Sequence, residues 1–148
     1  MILKWICKKF DELTPEELYN IIRLRNEIFV VEQNCVFQDA DNKDQLSYHF
    51  MGIENGELVA YTRLIPAGVS YKEASIGRVV ISIPERGKGT GRELMDLSII
   101  ELYKIWGKQP IRIGAQLYLK NFYESFGFQQ NSNIYIEDGI DHIEMILV

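Results

Sequence analysis

The sequence predicts an α+β sandwich around a mixed, mostly antiparallel sheet, in one domain that spans residues 1–148. Three observations predict this class. The chain has 148 residues, the usual size of one domain, and 47% of them are hydrophobic, which is enough for a two-layer core. Strand and helix patterns follow one another in the order strand, helix, three strands, helix, strand, helix, two strands. No internal repeat, low-complexity tract or linker divides the chain.

The N-terminal segment predicts a strand followed by a helix. Residues 2–10 have the pattern of a first strand. The run Thr14–Glu17 combines an N-cap, a proline at the first helical position and a capping-box glutamate, which together predict the start of a helix. This helix should run to about Val31, with an apolar stripe that includes Leu18, Ile22 and Phe29.

A long polar loop and a hairpin follow this helix. From Glu32 to Ser47 the sequence is polar and aperiodic, which is typical of a loop that lines a site, so we expect substrate contacts here. Asn55-Gly56 is one of the strongest short-range signals for a tight turn. It predicts antiparallel strands at residues 48–54 and 57–65.

The C-terminal half alternates strands and helices. A longer, central strand is predicted at residues 74–83, and a helix that begins near Gly91 carries Met95, Ile99, Leu102 and Trp106 on one face. Gly127 is predicted to end a short helix at residues 119–126. The remaining predicted elements are a buried strand at 111–115 and a final strand pair at 134–136 and 143–147.

The run Arg86-Gly87-Lys88-Gly89-Thr90-Gly91 lies between a strand and a helix, and it predicts a pyrophosphate-binding loop. Its glycines let the backbone approach an anion, Arg86 and Lys88 add positive charge, and the N–H groups of the helix N-terminus point to the same place. A P-loop is excluded because Lys88 is followed by glycine rather than by serine or threonine. A Rossmann fingerprint is excluded because the glycines alternate strictly and no acidic residue closes a second strand about twenty positions later.

The loop matches the pattern Arg/Gln-x-x-Gly-x-Gly/Ala after a strand, with which Gcn5-related N-acetyltransferases (GNAT) hold the pyrophosphate of acetyl-coenzyme A (acetyl-CoA). The chain resembles that superfamily and, within it, the ElaA-type acetyltransferases. The resemblance covers nearly the whole length, and its other segments are Phe29–Gln33, Gln116–Phe128 and Glu137–Met145. One departure is Pro84, which lies one residue later than the usual proline before the loop.

The resemblance implies a GNAT-like fold in which two middle strands splay apart and form a cofactor cleft. Residues 76–81 and 111–115 would line this cleft, and the pantetheine arm of acetyl-CoA would lie in it as a pseudo-strand. Acetyl-CoA is the implied acetyl donor, and no metal is implied. The residues implied to hold it are the backbone of Val79, Val80 and Ile81, the loop residues Arg86, Gly87, Lys88, Gly89, Thr90, Gly91 and Arg92, and the amide of Gln116.

Acetyl transfer to an amine needs a donor for the oxyanion, a proton for the departing thiolate and a base for the amine. The resemblance implies that the oxyanion donor is a backbone N–H at Ile81 or its neighbour, and that Tyr123 is the general acid. A tyrosine has a pKa near ~10 and a thiol near ~8.5, so we expect a hydrogen bond to the thiolate rather than complete proton transfer. The alternative is a Tyr123 that packs on the sheet with its hydroxyl bound to backbone.

Glu32 is the first candidate for the base, because it closes the first helix beside the polar loop and matches a Glu-Gln pair of ElaA-type chains. The alternative is an ordinary solvated carboxylate at a helix end. His49 and Asp41 are weaker candidates. His142 is flanked by acids, but a lone histidine in a strand is more often structural than catalytic.

Three arginines interrupt apolar sequence: Arg25, Arg63 and Arg78. We expect at least one of them to pair with a buried acid or with an anionic group of the substrate, and the structural pairing is the favoured alternative.

Composition limits the partners and the compartment. The net charge of −5 and the pI of about 5.1 argue against nucleic acid or an anionic membrane as the main partner. Cys7 and Cys35 are too few for a disulfide framework, and no Cys/His pair has metal-ligand spacing. Lysines interrupt the apolar run near the N-terminus, so it does not read as a signal peptide. We therefore expect a cytoplasmic protein without a metal site.

The expected activity is acetyl transfer from acetyl-CoA to an amine of a small molecule or a protein, by direct transfer in a ternary complex. A non-catalytic acyl-CoA-binding or sensor domain is the alternative. A nucleotide-binding domain is disfavoured because the P-loop and Rossmann signals are absent. The apolar last strand, residues 143–148, either completes the sheet or pairs across a two-fold axis in a homodimer. The sequence does not identify the acceptor amine.

Overall fold

The computed structural model describes residues 3–148, so Ile2 of the predicted first strand lies outside the described residues. Within these residues, eight strands form two sheets. The first sheet has four antiparallel strands in chain order: β1 (Lys4–Lys9), β2 (Tyr48–Glu54), β3 (Glu57–Ile65) and β4 (Ser75–Ile81). In the second sheet one long strand, β8 (Ile140–Leu147), pairs antiparallel with β5 (Ile111–Gln116), β6 (Gln129–Gln130) and β7 (Tyr135–Glu137).

The helices α1 (Pro15–Arg25) and α2 (Thr90–Trp106) cover the two faces of the first sheet, and the short helix α3 (Lys120–Glu124) packs against β6 of the second sheet. One buried cluster lies between the sheets and α2 with α3, and includes Leu64, Ile76, Leu94, Leu102, Ile113 and Met145. A second cluster lies between the other face of the first sheet and α1, and includes Ile21, Leu24, Met51 and Tyr61. The predicted α+β sandwich is confirmed. None of the helices within residues 3–148 combines the length and apolarity needed to cross a membrane.

The two sheets meet at one point, between the start of β4 and the start of β5. Ala74 forms a parallel bridge with Ile111, and the Arg112 N–H donates to the Ala74 carbonyl at 2.9 Å. Beyond this bridge the two strands are not paired, and a cleft opens between them. The predicted splay of the two middle strands is therefore confirmed.

Local sequence signals set several boundaries. The Thr14 hydroxyl accepts from the Glu17 N–H at 3.1 Å, and the Glu17 carboxylate accepts from the Thr14 N–H at 2.8 Å, which is the predicted capping box. At the hairpin, Asn55 and Gly56 have φ of 53° and 79°, as a type I′ turn requires. The two hairpin strands have the predicted bounds.

Four elements differ from the prediction. The first helix is α-helical to Arg25 and continues as a π-helix over Asn26–Glu32; such segments are local irregularities that often lie at functional sites. The short strand β6 was not predicted, since its residues have no strand pattern and are held by pairing with β8. Strand β4 is shorter than expected because Ile83–Glu85, which contains the displaced proline, forms a 3-10 turn. Strand β8 is longer, and it completes the sheet with partners on both sides.

Three arginines from α1, β3 and β4 meet three aspartates of one loop. We call this the arginine–aspartate network; its members are Arg25, Arg63, Arg78, Asp39, Asp41 and Asp44. The contacts are 2.7–2.9 Å long except for one at 3.3 Å between Arg78 and Asp41. Arg25 is 0% exposed. The favoured alternative for these arginines, structural pairing, is what the structure shows, and the network ties the loop to the sheet.

The network perturbs its carboxylates. Burial alone would raise the pKa values of Asp41 and Asp44, but the hydrogen bonds and charges of the arginines outweigh burial and hold both pKa values below their ordinary range. A carboxylate whose pKa is lower in the folded than in the unfolded state stabilises the fold above its unfolded pKa of ~4, and this stabilisation is lost as the pH falls through the folded pKa.

We therefore expect the free energy of unfolding, measured by urea denaturation, to fall as the pH is lowered from 7 to 3. Asp44→Asn should lower it by about 3 kcal/mol at pH 7, because Arg25 and Arg63 keep their charges and lose a shared partner. The variant should then lose less stability than the wild type between pH 7 and pH 3. Equal losses in both proteins would show that other carboxylates cause the acid sensitivity.

Candidate active site

A cleft with a volume of about 940 Å³ lies between the diverging strands β4 and β5. One wall is β4 and the opposite wall is β5 with the start of β8. The π-helical segment and the loop that follows it close one side. Seven of the predicted site residues line this cleft: Glu32, Val79, Val80, Ile81, Arg86, Gln116 and Tyr123.

A β-bulge interrupts β4 where it faces the cleft. Tyr61 pairs with Val80, but two residues later Arg63 pairs with Gly77, so β4 contains one extra residue at this point. Arg78 lies in the bulge and has φ of 50°, an uncommon value for a residue other than glycine. Its guanidinium donates to the Asp39 carboxylate and carbonyl, both at 2.9 Å. The loop aspartate therefore holds the side chain of the bulged residue.

Backbone direction decides which amides of β4 reach the cleft. The Ser82 N–H points toward β3, because it donates to the Val59 carbonyl at 2.8 Å. Successive amides of a strand point to opposite sides, so the Ile81 N–H points away from β3 and toward the cleft, whereas the Val80 N–H points toward β3. The geometry favours Ile81 as the predicted oxyanion donor. It does not favour the expected contact of a ligand with the Val80 N–H.

The glycine loop has left-handed backbone at two of its three glycines. Gly87 and Gly89 have φ of 81° and 80°, and Gly89 is the N-cap of α2. The first N–H groups of α2 have no partner within the helix and can bind an anion. Gly91 has ordinary helical backbone, and a Cβ added there would lie 3.9 Å from Ile81 Cγ1, which is normal contact. The loop therefore fits a pyrophosphate through backbone N–H groups, and alanine at position 91 is compatible with it.

Glu85 anchors this loop, and sequence reasoning did not single it out. Glu85 is 5% exposed. Its carboxylate accepts a hydrogen bond from the Thr90 hydroxyl at 3.0 Å and forms an ion pair with Lys88 at 3.4 Å. The Thr90 hydroxyl is thus directed at Glu85, and the backbone N–H of Thr90 is left for a ligand. Arg92 lies over the Phe126 ring, 4.8 Å from its centroid, rather than lining the cleft.

Glu32 and Arg86, which are predicted as base and pyrophosphate ligand, contact each other. Two hydrogen bonds of 2.7 and 2.5 Å join the guanidinium to the carboxylate. This hydrogen bonding, against a small effect of burial, lowers the pKa of the Glu32 carboxyl. A lowered pKa makes a carboxylate a poorer proton acceptor. The ion pair therefore weighs against Glu32 as the base while Arg86 holds it.

Tyr123 lies in α3 at the cleft and is 6% exposed. Its ring packs edge-to-face on Phe122 and Phe128, with centroids 5.2 and 6.1 Å away. Burial raises the pKa of the Tyr123 hydroxyl well above its ordinary value.

The weaker base candidates are held inside the fold. His49 is 0% exposed, and both of its ring nitrogens have partners: Nδ1 lies 2.6 Å from the Tyr61 hydroxyl and Nε2 lies 2.9 Å from the Asp44 carbonyl. Asp41 is bound by Arg63 and Arg78. The partners of His49 and Asp41 occupy the atoms that would have to accept a proton, whereas a solvated carboxylate leaves such atoms free.

Gln116 and His142 face the cleft from the second sheet. The Gln116 amide donates to the Gln33 side chain at 3.4 Å, which links β5 to the segment after the π-helix. His142, expected to be structural, lines the cleft and is paired with Gln116 across β5 and β8. Among the described residues, no group of three or more His, Cys, Asp or Glu side chains is arranged to hold a metal ion.

Comparison with known proteins gives concordant matches. Residues 13–148 match the family model described as an acetyltransferase (GNAT) domain. Protein ElaA of Escherichia coli K12 is 40% identical over 146 residues, which cover 97% of this chain and 95% of that protein. The crystal structure of E. coli ElaA superposes with a TM-score of 0.93 and 38% identity, covering 99% of this chain and 100% of that one. A crystal structure named as an acyl-CoA N-acyltransferase from Pseudomonas aeruginosa gives 0.95, 38% identity and the same coverage.

The positive φ of Gly89 gives a first test of the loop. Gly89→Ala should weaken coenzyme A binding about 5- to 30-fold, because an alanine at this φ is strained by roughly 1–2 kcal/mol and an exposed loop can relax away from the binding conformation. The measurement is calorimetric titration with coenzyme A. Gly68→Ala is the matched control, since Gly68 has φ of 88° in equally open surroundings but lies in the connection between β3 and β4 rather than at the N-terminus of a helix. Equal affinities of the two variants would contradict a role for this loop.

The ion pair gives a second test. Arg86→Gln should weaken coenzyme A binding about tenfold or more, because it removes a bidentate, charge-assisted donor. Glu32→Gln should instead tighten binding modestly, since it frees Arg86 from a competing carboxylate. The effects of both substitutions on the affinity for coenzyme A should be smaller at high salt, because salt screens the charges. Weaker binding by Glu32→Gln would show that the carboxylate supports the donor site rather than competing with it.

Proposed function

Because this chain belongs to the GNAT acetyltransferase family, as its sequence pattern predicted, we propose that it transfers an acetyl group from acetyl-CoA to a primary amine of a small molecule or a protein, directly in a ternary complex. The observation that carries the proposal is the cleft between β4 and β5, which has the glycine loop at one end and Tyr123 in its wall. The acyltransferase named for the P. aeruginosa structure has the same fold and agrees with acyl transfer.

The donor would be held by backbone more than by side chains. We place its pyrophosphate at the Gly87–Gly89 turn and the first N–H groups of α2, with Arg86 as the main cation. The unpaired edge of β4 beyond Ala74 offers backbone groups to the pantetheine arm, in the manner of an added strand. Gln116 would contribute its amide on the opposite wall, at the cost of its weak contact with Gln33.

The chemistry needs charge stabilisation at two atoms. We assign the N–H of Ile81 to the acyl oxygen, because it points into the cleft and belongs to a rigid strand. Tyr123 would donate a hydrogen bond to the departing sulfur. Since burial raises its pKa above that of a thiol, this hydrogen bond stabilises the thiolate without complete proton transfer.

The acceptor amine would enter from the side that the polar loop closes. Phe37, Asp41 and Lys43 of this loop line the cleft, as do Glu137 and Asp138 of the turn before β8. Glu32 is the base that the sequence predicts, and its ion pair with Arg86 would have to open before the carboxylate could take that role. The free thiols Cys7 and Cys35 agree with a reducing cytoplasm, where we place the reaction.

The decisive experiment titrates the purified protein with acetyl-CoA and coenzyme A, and then measures thiol release against a panel of alkylamines in the same samples. Binding with amine-dependent release supports the proposal and begins to identify the acceptor. Binding without release on any amine would favour an acyl-CoA sensor. No binding would contradict the assignment of the loop.

Tyr123→Phe tests the hydrogen bond to the sulfur. We expect kcat to fall about 10- to 100-fold with unchanged affinity for acetyl-CoA, because the interaction forms only as charge develops. Tyr19→Phe is the matched control, since Tyr19 is 69% exposed on α1 and lies outside the cleft. A loss of affinity equal to the loss in kcat would indicate that Tyr123 only shapes the cleft.

A further inference from the structure

His142 occupies a position that the donor site does not use. It is 7% exposed, lines the cleft, and lies on β8 between Gln116 of β5 and Tyr135 of β7. Residues paired across antiparallel strands point to the same face, so these three side chains form a row on one face of the second sheet. The segment after the π-helix approaches this face, because Gln33 bonds Gln116 and the Cys35 thiol donates to the Asp138 carbonyl at 3.4 Å.

The hydrogen bond of one ring nitrogen fixes the role of the other. His142 Nδ1 lies 2.7 Å from the Ile140 carbonyl oxygen, which can only accept, so Nδ1 carries a proton and donates it. In the neutral ring Nε2 is then the nitrogen with a free lone pair. The Tyr135 ring stacks on the imidazole, with centroids 5.8 Å apart, and limits its rotation. His142 therefore presents an oriented proton acceptor, unlike His49, whose two nitrogens both have partners.

A carboxylate lies beside that acceptor. Glu137 Oε2 is 3.6 Å from His142 Nε2, close enough to stabilise the imidazolium that forms when Nε2 takes a proton. On the same wall as His142, the other ionisable or charged groups are Tyr135 of β7, Asp138 of the turn, and Glu144 of β8 with its partner Arg112. Across the cleft, the ionisable or charged groups are Cys35, Asp41, Lys43 and Arg78. Of these, Arg112 and Glu144 bind each other, as do Arg78 and Asp41.

Resting on the proposed function, we propose that His142 is the general base of the reaction and that its Nε2 accepts the proton which the ammonium form of the acceptor must lose. The freed nitrogen lone pair then forms the N–C bond, and the C–S bond breaks with its electron pair on sulfur. The second proton of the amine passes to the sulfur through solvent or Tyr123. His142 returns its proton to solvent, so the products are an N-acetyl amine, coenzyme A and one proton.

The assignment gives the reaction a base that does not depend on the release of Glu32 from Arg86. Glu32 is at the exposed edge of the cleft beside the glycine loop, and its acidity is increased by the guanidinium. His142 is on the opposite wall, beside the polar loop through which we place the acceptor. Histidine is also the side chain that exchanges protons most readily around neutral pH.

The test compares wild type with His142→Gln, Glu137→Gln and Glu32→Gln, in thiol release with the most active alkylamine of the panel between pH 6 and pH 10. We expect His142→Gln to bind acetyl-CoA normally and to lose about 100-fold or more in kcat at pH 7, with the acidic limb of its pH–rate profile flattened. Near pH 10 the loss should be only a few-fold, because an alkylamine with a pKa of ~10.4 is then largely neutral. Glu137→Gln should lower kcat at pH 7, since it removes the carboxylate 3.6 Å from Nε2 that stabilises the charge formed on proton transfer.

Glu32→Gln tests the competing base: it should change the affinity for acetyl-CoA and leave the acidic limb in place. The proposal is overturned if His142→Gln retains kcat within about threefold, if its loss is the same at pH 7 and pH 10, or if Glu32→Gln removes the acidic limb instead. A wild type that binds acetyl-CoA but releases no thiol with any amine overturns the proposed function and this inference together. This result is distinguishable from a failure of the His142 assignment alone, because each of the other outcomes is measured on a wild type that is active.

Discussion

The arginine–aspartate network is the constraint on which the rest of this structure depends. Its three cations come from α1, β3 and β4, and its three anions come from a single loop, so the buried charges balance only when that loop lies against the sheet. Arg63 Nε is the one buried side-chain nitrogen or oxygen of residues 3–148 without a partner, which shows how fully the remaining donors are used. Breaking one contact leaves an uncompensated buried charge, and this makes alternative loop positions unfavourable. The loop can therefore serve as a fixed wall of the cleft.

The same network connects the loop to the chemistry through Arg78. A left-handed φ at a residue with a side chain is strained by roughly 1–2 kcal/mol and persists only where the surroundings hold it. Here Asp39 holds the guanidinium of the bulged residue. The extra residue sets the register of β4, and in that register the Ile81 N–H points into the cleft while Val80 stays paired with Tyr61. A shift of the register by one residue would turn the Val80 N–H toward the cleft and the Ile81 N–H toward β3. The contact between Asp39 and Arg78 therefore helps to fix the direction of the Ile81 N–H.

Features that short stretches of chain encode could be predicted from the sequence. The capping box at Thr14 and the Asn55-Gly56 turn depend on neighbouring residues only, as does the start of α2 directly after the glycine loop. What could not be predicted depends on residues distant in the chain. The partner of Glu32 is 54 positions away, and that of Arg78 is 39 positions away. The residues of β6 form a strand only because β8 lies beside them, and the orientation of His142 depends on a backbone carbonyl, which no residue pattern reveals.

The charges of the cleft also resolve an apparent conflict in the sequence. A protein with a net charge of −5 attracts a cationic amine but repels a polyanionic donor at long range. The cleft separates the two requirements. The glycine loop concentrates backbone N–H groups and Arg86 at one end, whereas Glu137 and Asp138 lie with His142 on the other wall. While the loop is free, Glu32 neutralises Arg86; a pyrophosphate carries more charge than one carboxylate and can replace it there. The anionic surface and the cationic loop are thus complementary to the two substrates that we propose.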